Sequence, residues 1–417
     1  SMPEGQERAP FQTMAKFDSE FRNELGYHQP AGALASVGLM GAGIGATQSK
    51  YVARRETPVY IAENCTQCME CITACPDTAL PNTAQDVSTI LVTAIRNYVS
   101  DKEQQKNLLN EVQGLEERCR ARMVDNATSK GKEPFKDILR AEVDQLTTVS
   151  EAARGEFTRI IGQLPLAYND VTAIFRSVEK KSPGNGGIFS IFVSDLCKGC
   201  GECVQVCGDH DALRMVTETP ELNAELTTAQ VFSRLLPDTS QKFLGLYNDD
   251  TPEASREAAL RNHLMVRRNY EALVSGDGAC AGCGEKSVLR AVASVTEAYM
   301  RPMYHKKAAR LREKANDLES NGAANLAALK ERSEEEYKFY KRSIAHVVMG
   351  LGGENDADTD HRLEAHGEIA DAELIDALIA VLRQDAFNHR DIQAIDGRHA
   401  NGMSVMYMGA HTGCNTV

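Results

Sequence analysis

The sequence lacks an excess of positive charge. Its 417 residues contain 46 Lys and Arg against 59 Asp and Glu, which gives a formal net charge of −13 at pH 7 and a pI near 5.4. Nucleic acids and anionic membrane surfaces both select for basic protein surfaces. We therefore expect neither a nucleic acid nor a membrane among the partners of this chain.

The sequence also lacks an apolar segment of membrane-spanning length. The uncharged run "AGALASVGLMGAGIGA" at 31–46 is shorter than the ~18 residues that a spanning helix needs, and five of its residues are glycine. The first ten residues, "SMPEGQERAP", have no apolar core of the kind found in secretory signals. We expect a cytoplasmic protein.

Cysteine, in contrast, is abundant, with twelve residues in unusual groups. Two runs, "CTQCMECITACP" and "CKGCGECVQVCG", share the spacing C-x2-C-x2-C-x3-C, and the second begins 132 residues after the first. Their spacing is identical, so the pattern indicates an internal duplication. Clustered cysteines in a long chain without a secretion signal indicate metal binding rather than disulfides. The first run contains Cys65, Cys68, Cys71 and Cys75, and the second contains Cys197, Cys200, Cys203 and Cys207.

The spacing of these runs is typical of [4Fe–4S] clusters. Three cysteines at two-residue intervals wrap one cluster, and in two-cluster ferredoxins the fourth cysteine ligates the other cluster. Structural zinc is the alternative, but zinc sites usually pair two C-x2-C units, which leaves the later cysteines of each run surplus. One departure is Gly208, which stands where the first run has Pro76. The spacing predicts one cluster on Cys65, Cys68, Cys71 and Cys207, and a second on Cys197, Cys200, Cys203 and Cys75.

The remaining pattern predicts strands beside the cysteine runs and helices between them. Strands are predicted at 58–64, 188–194 and 212–218. Residues 82–182 have helical periodicity and no strand signal, which predicts a large helical insertion between the two halves. Surface loops tolerate such insertions because the entropy of loop closure grows slowly with length. Cys119 lies in this insertion and is predicted to bind no metal.

A third cysteine site follows the duplication. "GDGACAGCGE" places Cys280 and Cys283 in a glycine-rich turn, and Cys414 follows in "TGCNTV". Four stretches occur in the order "SKYVARRETPVYIAENCTQCMECITACP", "FVSDLCKGCGECVQVC", "GACAGCGE" and "MYMGAHTGC". In these stretches the chain resembles pyruvate:ferredoxin oxidoreductase, the thiamine-diphosphate-dependent 2-oxoacid:ferredoxin oxidoreductase family.

The resemblance implies a fold, cofactors and partners. The implied fold class is α+β: a two-[4Fe–4S] ferredoxin-like domain, then the N-terminal part of an α/β thiamine-binding domain. It also implies that Cys280, Cys283 and Cys414 hold a third [4Fe–4S] cluster beside thiamine diphosphate, and that Glu285 contacts the thiamine diphosphate. The complete enzyme of this family binds thiamine diphosphate with Mg, forms a homodimer, and passes electrons to an external ferredoxin or flavodoxin. The implied reaction is oxidative decarboxylation of pyruvate, or a related 2-oxoacid, to acyl-CoA.

The order of these features predicts the domain organisation. A second helical insertion is predicted at about 300–400, because 130 residues separate Cys283 from Cys414. Helix is predicted from 286 to about 343, with an interruption at Pro302. The family's fourth ligand to the third cluster and its later thiamine and magnesium motif do not follow, so we expect a fragment that is not catalytically complete. The predicted segments are a linker at 1–56, a ferredoxin-like domain at 57–220, a helical connector at 221–275 and a partial thiamine-binding domain at 276–417.

Two other functions stay open. A stand-alone two-cluster electron carrier without catalysis would explain the duplicated runs, but it has no need of "GACAGCGE" and "TGC". A zinc-bound scaffold would explain the cysteines alone, and metal content separates it from both electron-transfer functions.

Overall fold

The structure is a computed structural model that describes residues 54–128, 132–271, 284–348 and 370–390. Most of these residues lie in helices, and the described strands form two antiparallel pairs, so the fold is α+β. The predicted linker lies outside the described residues except for its last three positions. Within the described ranges, no helix combines the length and the apolar character needed to cross a membrane.

The first cysteine run lies between two strands. Strand β1 overlaps the predicted strand at 58–64, but the next strand was not predicted, because its residues were assigned to the helical insertion. Its sequence, NTAQ, follows a proline and has no β-branched residue except one threonine. Strand propensity depends on context, and here pairing with a distant strand makes the segment extended. The elements are β1 (Glu56–Tyr60), a 3-10 turn (Ala62–Asn64), α1 (Glu70–Ala74) and β2 (Asn82–Gln85).

The inserted segment is helical from Val87 onward, as predicted. Its buried side chains form a cluster, here called the insertion core, that includes Ile90, Leu115, Phe157 and Phe175. Side-chain caps start two of its helices; Asp101, for example, accepts a hydrogen bond from the Gln104 N–H. The described elements are α2 (Val87–Tyr98), α3 (Lys102–Asn110), α4 (Val112–Thr128), α5 (Phe135–Asp144), α6 (Glu151–Gln163), a π-helical turn (Thr172–Arg176) and α7 (Ser177–Lys181).

The second half repeats the order of the first: strand, cysteine loop, short helix, strand. Its two strands lie within the predicted ranges 188–194 and 212–218, so both predictions are confirmed. The elements are β3 (Ile188–Ile191), α8 (Glu202–Cys207), a 3-10 turn (Gly208–His210) and β4 (Leu213–Thr217).

The four strands pair across the two halves. β1 pairs antiparallel with β4, and Glu56 lies opposite Thr217. β2 pairs antiparallel with β3, and Gln85 lies opposite Ile188. The outer strands therefore pair with each other, as do the inner strands, and helix α1 packs against helix α8.

A second group of buried side chains surrounds the cysteine runs. This group, here called the cysteine core, includes Met69, Ile72, Leu80, Phe189 and Leu244. Its members come from both halves and from the helices that follow them, so these elements form one packed body. The following elements are α9 (Pro220–Leu235), α10 (Gln241–Leu244), α11 (Glu253–Asn262), a 3-10 turn (His263–Met265) and α12 (Arg267–Glu271).

The last described helices are long. They are α13 (Gly284–Arg332), α14 (Glu334–Val348) and α15 (Asp371–Arg390). The described residues divide into two compact units, and the division falls inside α13 between Tyr299 and Met300. In the second unit, Leu326, Tyr337 and Ile375 belong to a small apolar core.

Helix α13 continues through Pro302, although the sequence predicted an interruption there. Proline removes one backbone N–H and disfavours the preceding helical turn by about 3 kcal/mol. The helix has 49 residues, and Pro302 lies inside it. Because helix propagation is cooperative, a single internal proline is tolerated in a helix of this length.

A buried arginine ties the insertion to the rest of the first unit. The Arg120 side chain is 7% exposed and forms ion pairs with Glu116 and Glu179, each at 2.7 Å, and with Asp86 at 3.4 Å. It also donates a hydrogen bond to the Gly186 carbonyl, in the segment that leads into β3. One guanidinium therefore joins both ends of the insertion.

We predict that Arg120→Met lowers the free energy of unfolding by about 3–5 kcal/mol, because it removes the guanidinium partner of the Glu179 carboxylate, which is 8% exposed, and of the partly buried Glu116 carboxylate. Urea unfolding followed by circular dichroism measures the change. The matched control is Arg118→Met, because Arg118 is 43% exposed and pairs with Glu142 at 3.3 Å. The control should cost no more than about 1 kcal/mol. Equal losses of unfolding free energy in both variants would contradict the assignment of Arg120 as a buried ion-pair centre that joins the two ends of the insertion.

Candidate metal centres

The first cysteine loop is shaped by two residues with left-handed backbone conformations. Gln67 and Met69 have φ values of 61° and 66°, in a region that few residues other than glycine adopt. The Gln67 N–H donates a hydrogen bond to Cys65 Sγ at 3.4 Å. Met69 precedes helix α1, which carries Cys71. The loop thus turns a backbone N–H toward its own sulfur.

The second loop has the same backbone shape. Gly199 and Gly201 have φ values of 69° and 79°, and they stand 132 residues after their counterparts in the first loop. The Gly199 N–H donates to Cys197 Sγ at 3.4 Å. Glycine adopts this conformation without steric cost, whereas the first loop holds Met69 in place by burying it to 1% exposure. The duplication therefore extends from residue spacing to backbone conformation.

The eight cysteines of the two runs line two cavities in crossed sets. Each cavity has an empty volume of about 340 Å³, part of it open to solvent. These are the sets that the spacing predicts, and ligation of a cluster by them stays a prediction. The first cavity is lined by Cys65, Cys68, Cys71 and Cys207, and the second cavity by Cys197, Cys200, Cys203 and Cys75.

Helix packing produces this crossing. Cys71 lies in α1 and Cys75 directly follows it, while Cys203 and Cys207 both lie in α8. Four residues of helix rise about 6 Å, so each helix carries the last cysteine away from its own loop. Because α1 and α8 pack together, the displaced cysteine of each run lies at the cavity of the other run.

Burial raises the pKa values of four of these thiols, those of Cys65, Cys71, Cys75 and Cys203. Burial raises the pKa of the Cys71 thiol far above its usual value, and nearby cysteines such as Cys65 add to this effect. Burial also raises the pKa of Cys203 to about 12. Iron–sulfur clusters are held by thiolates, which a positively charged metal group stabilises. Four cysteine sulfurs line each cavity. Backbone N–H groups donate to Cys65 Sγ at the first cavity and to Cys197 Sγ and Cys75 Sγ at the second, and this arrangement fits a [4Fe–4S] cluster.

The chain leaves the two runs in different ways. After the first run, the Ala79 N–H donates a hydrogen bond to Cys75 Sγ at 3.2 Å. After the second run, Gly208 has a φ of 52°. Proline is fixed near −65° and cannot adopt this value. The backbone therefore explains why Gly208 stands where the first run has Pro76.

The structure describes the other predicted site residues only in part. Cys280, Cys283 and Cys414 lie outside the described residues, as does the side chain of Glu285, whose backbone begins α13. Cys119 lies in a helix, α4, as predicted; it is fully buried and packs in the insertion core. Within the described ranges, no three His, Cys, Asp or Glu side chains are placed to hold a single metal ion. The iron, sulfide and zinc contents of the protein distinguish an iron–sulfur cluster from a zinc site.

Two residues near the second cavity had no sequence signal. Tyr270 Oη accepts a hydrogen bond from the Leu80 N–H at 2.9 Å. Arg290 donates to the Cys75 carbonyl at 2.9 Å. Sequence separations of 190 and 215 residues place both contacts beyond the reach of any local pattern.

No protein-family model, curated protein or solved structure matched this chain. Function is therefore argued from the cysteine arrangement and from the motifs themselves.

We predict that Gly201→Ala costs about 1–2 kcal/mol of unfolding free energy, because Ala is strained in the left-handed region. Gly199→Ala should cost more, since its Cβ would also lie 2.5 Å from the Glu56 carbonyl oxygen, whereas a Cβ at Gly201 meets nothing within 4 Å. Urea unfolding measures both. The control is Gly155→Ala in α6, a helical site with open space. It should stabilise the chain by roughly 0.5–1 kcal/mol. A Gly201→Ala variant with an unchanged free energy of unfolding would refute the left-handed conformation of this loop.

Proposed function

We propose that this chain is the electron-transfer part of a CoA-acylating 2-oxoacid:ferredoxin oxidoreductase, and that its two cavities hold [4Fe–4S] clusters. The observation that carries the proposal is the pair of cavities, each lined by three cysteines of one run and the last cysteine of the other. Two-cluster ferredoxins use the same crossed ligation. The resemblance of the motifs supports pyruvate, or a related 2-oxoacid, as the substrate.

In this proposal, residues 57–220 are a two-cluster ferredoxin-like domain with one large helical insertion. The repeated order of strand, cysteine loop, helix and strand supports a duplicated domain. Pairing of β1 with β4 and of β2 with β3 supports the assembly of the two halves into one body. The buried side chains of the insertion belong to the insertion core, which Ile188 and Phe232 from outside the insertion join and which is separate from the cysteine core around the cavities.

A bound [4Fe–4S] cluster supplies one-electron transfer. The eight cysteines would hold the two clusters as thiolates, and the N–H groups of Gln67 and Gly199 donate to the sulfurs of Cys65 and Cys197. Buried Met69 and Phe189 line the first cavity and keep water from that part of its wall. Cys200, a lining residue of the second cavity, is exposed. An external ferredoxin or flavodoxin can therefore approach the second cavity most closely on that side.

The rest of the proposal comes from the motif resemblance. Cys280, Cys283 and Cys414 would hold a third cluster beside thiamine diphosphate and Mg, with Glu285 at the thiamine. Other domains of the enzyme would bind the 2-oxoacid and coenzyme A, and the whole would be a cytoplasmic homodimer. This part of the enzyme would then relay electrons and leave bond cleavage to the complete protein.

The alternative is a stand-alone two-cluster electron carrier. The crossed cavities support it equally, because both functions need two clusters close together. The third cysteine site is what distinguishes them. A carrier has no use for Cys280, Cys283 and Cys414, so occupancy of that site favours the oxidoreductase.

We predict about eight irons per chain, with matching acid-labile sulfide, in protein prepared without oxygen. About twelve irons would show that the third site also assembles. Atomic spectroscopy for iron and zinc, together with a sulfide assay, makes the measurement. Stoichiometric zinc with little iron would overturn the electron-transfer proposal and support a zinc scaffold.

Crossed ligation makes a prediction for paired substitutions. Cys68→Ala with Cys207→Ala should damage only the first cavity, so it should cost about four irons. Cys200→Ala with Cys207→Ala should damage both cavities and cost about eight. Ligation within each run would give the reverse order. Cys119→Ala is the control, since this buried cysteine lies in the insertion core, and it should keep the full iron content.

A further inference from the structure

Arg290 reaches the second cavity from helix α13. Its side chain is fully buried. The guanidinium donates hydrogen bonds to the carbonyl oxygens of Ile72, Thr73 and Cys75 at 3.0, 3.1 and 2.9 Å. It also donates to Thr78 Oγ1 at 2.7 Å. The three carbonyls lie at the end of helix α1, so Arg290 caps the helix that carries cysteines toward both cavities.

The charge of Arg290 has no carboxylate partner among the described residues. Its hydrogen-bond acceptors are all neutral, and its other neighbour is the ring of Tyr270, 5.0 Å from the guanidinium carbon. Arg54 offers a contrast: it donates to the Cys197 carbonyl but is paired with Glu218 at 2.6 Å. Burial of an unpaired cation is costly. The site of Arg290 is therefore suited to a nearby anion.

The second cavity is where that anion belongs. Cys75 lines it, as do Asp77 and Ala79 on either side of Thr78. A cluster with four thiolate ligands carries a net negative charge, which grows by one when an electron is added. A fixed positive charge nearby favours the reduced form, and net charge is one of the quantities that set the potential of such clusters.

The first cavity has no such cation at the corresponding position. Helix α8 ends at Cys207, and the described hydrogen bond to a carbonyl of its last turn comes from the backbone N–H of Gly208 to Val204. No described Lys or Arg side chain donates to the carbonyls of Val204 through Cys207. The two halves are alike in their loops and differ in this charge.

We propose that Arg290 is a positioning residue whose buried charge raises the reduction potential of the cluster in the second cavity above that of the cluster in the first. This inference rests on the proposed function, because both cavities must hold clusters. The second cavity is also the one with the exposed Cys200. A higher potential there draws electrons toward the side that an external acceptor can reach.

The test is a redox titration of the full chain, followed by electron paramagnetic resonance. Cys200→Ala identifies which signal belongs to the second cavity. In Arg290→Met the reduction constant of that signal should fall at least tenfold, which is about 59 mV for one electron, while the other signal stays unchanged. Arg290→Gln keeps hydrogen-bond donors for the carbonyls but removes the charge, so it should lower the reduction constant of that signal to a similar extent. Arg290→Lys should keep the wild-type value.

Thr78→Val is the matched control, because it removes the hydrogen bond to Thr78 Oγ1 and leaves the charge in place. Its potentials should equal those of the wild type. Unchanged potentials in the neutral variants, or an equal shift in Arg290→Lys, would overturn the inference and leave the proposed function intact. If the neutral variants lose a cluster that Arg290→Lys retains, the charge acts on cluster assembly and not on the potential, and the inference is overturned. Loss in all three overturns it, and wild-type protein without iron overturns both proposals.

Discussion

Packing of helix α1 against helix α8 is the contact on which both cavities depend. Each helix carries the last cysteine of its run to the cavity of the other run, so neither cavity has four cysteines unless the helices touch. Two incomplete half-sites become two complete sites through one interface. This arrangement also places the proposed clusters side by side, which electron transfer between them requires.

The same dependence explains where a large insertion can be tolerated. Gln85 and Ile188 are paired across β2 and β3, so the insertion leaves and re-enters the sheet at neighbouring positions. Its helices bury most of their apolar side chains in the insertion core, and Arg120 ties its two ends together. Residues inserted at the end of the β2–β3 pair leave the α1–α8 interface unchanged.

The two halves have the same backbone shape but reach it with different residues. The second loop uses Gly199 and Gly201 where the first uses Gln67 and Met69, which burial holds in the left-handed region. Gly208 makes a turn that Pro76 could not. The largest difference is charge, because Arg290 caps α1 and has no described counterpart at α8. A duplicated pair of sites can thus acquire two different potentials.

The sequence by itself determined the duplication, three of the four described strands, the helical nature of the insertion and the crossed grouping of eight cysteines, because each of these follows from local spacing or periodicity. It did not reveal β2, whose residues are extended only because β3 lies beside them. It wrongly predicted a break at Pro302, where a long cooperative helix outweighs one lost hydrogen bond. Tyr270 and Arg290 were decided by tertiary structure alone, since the atoms they contact lie about two hundred residues away. Spacing along the chain can identify ligands, but only packing brings a distant charge to them.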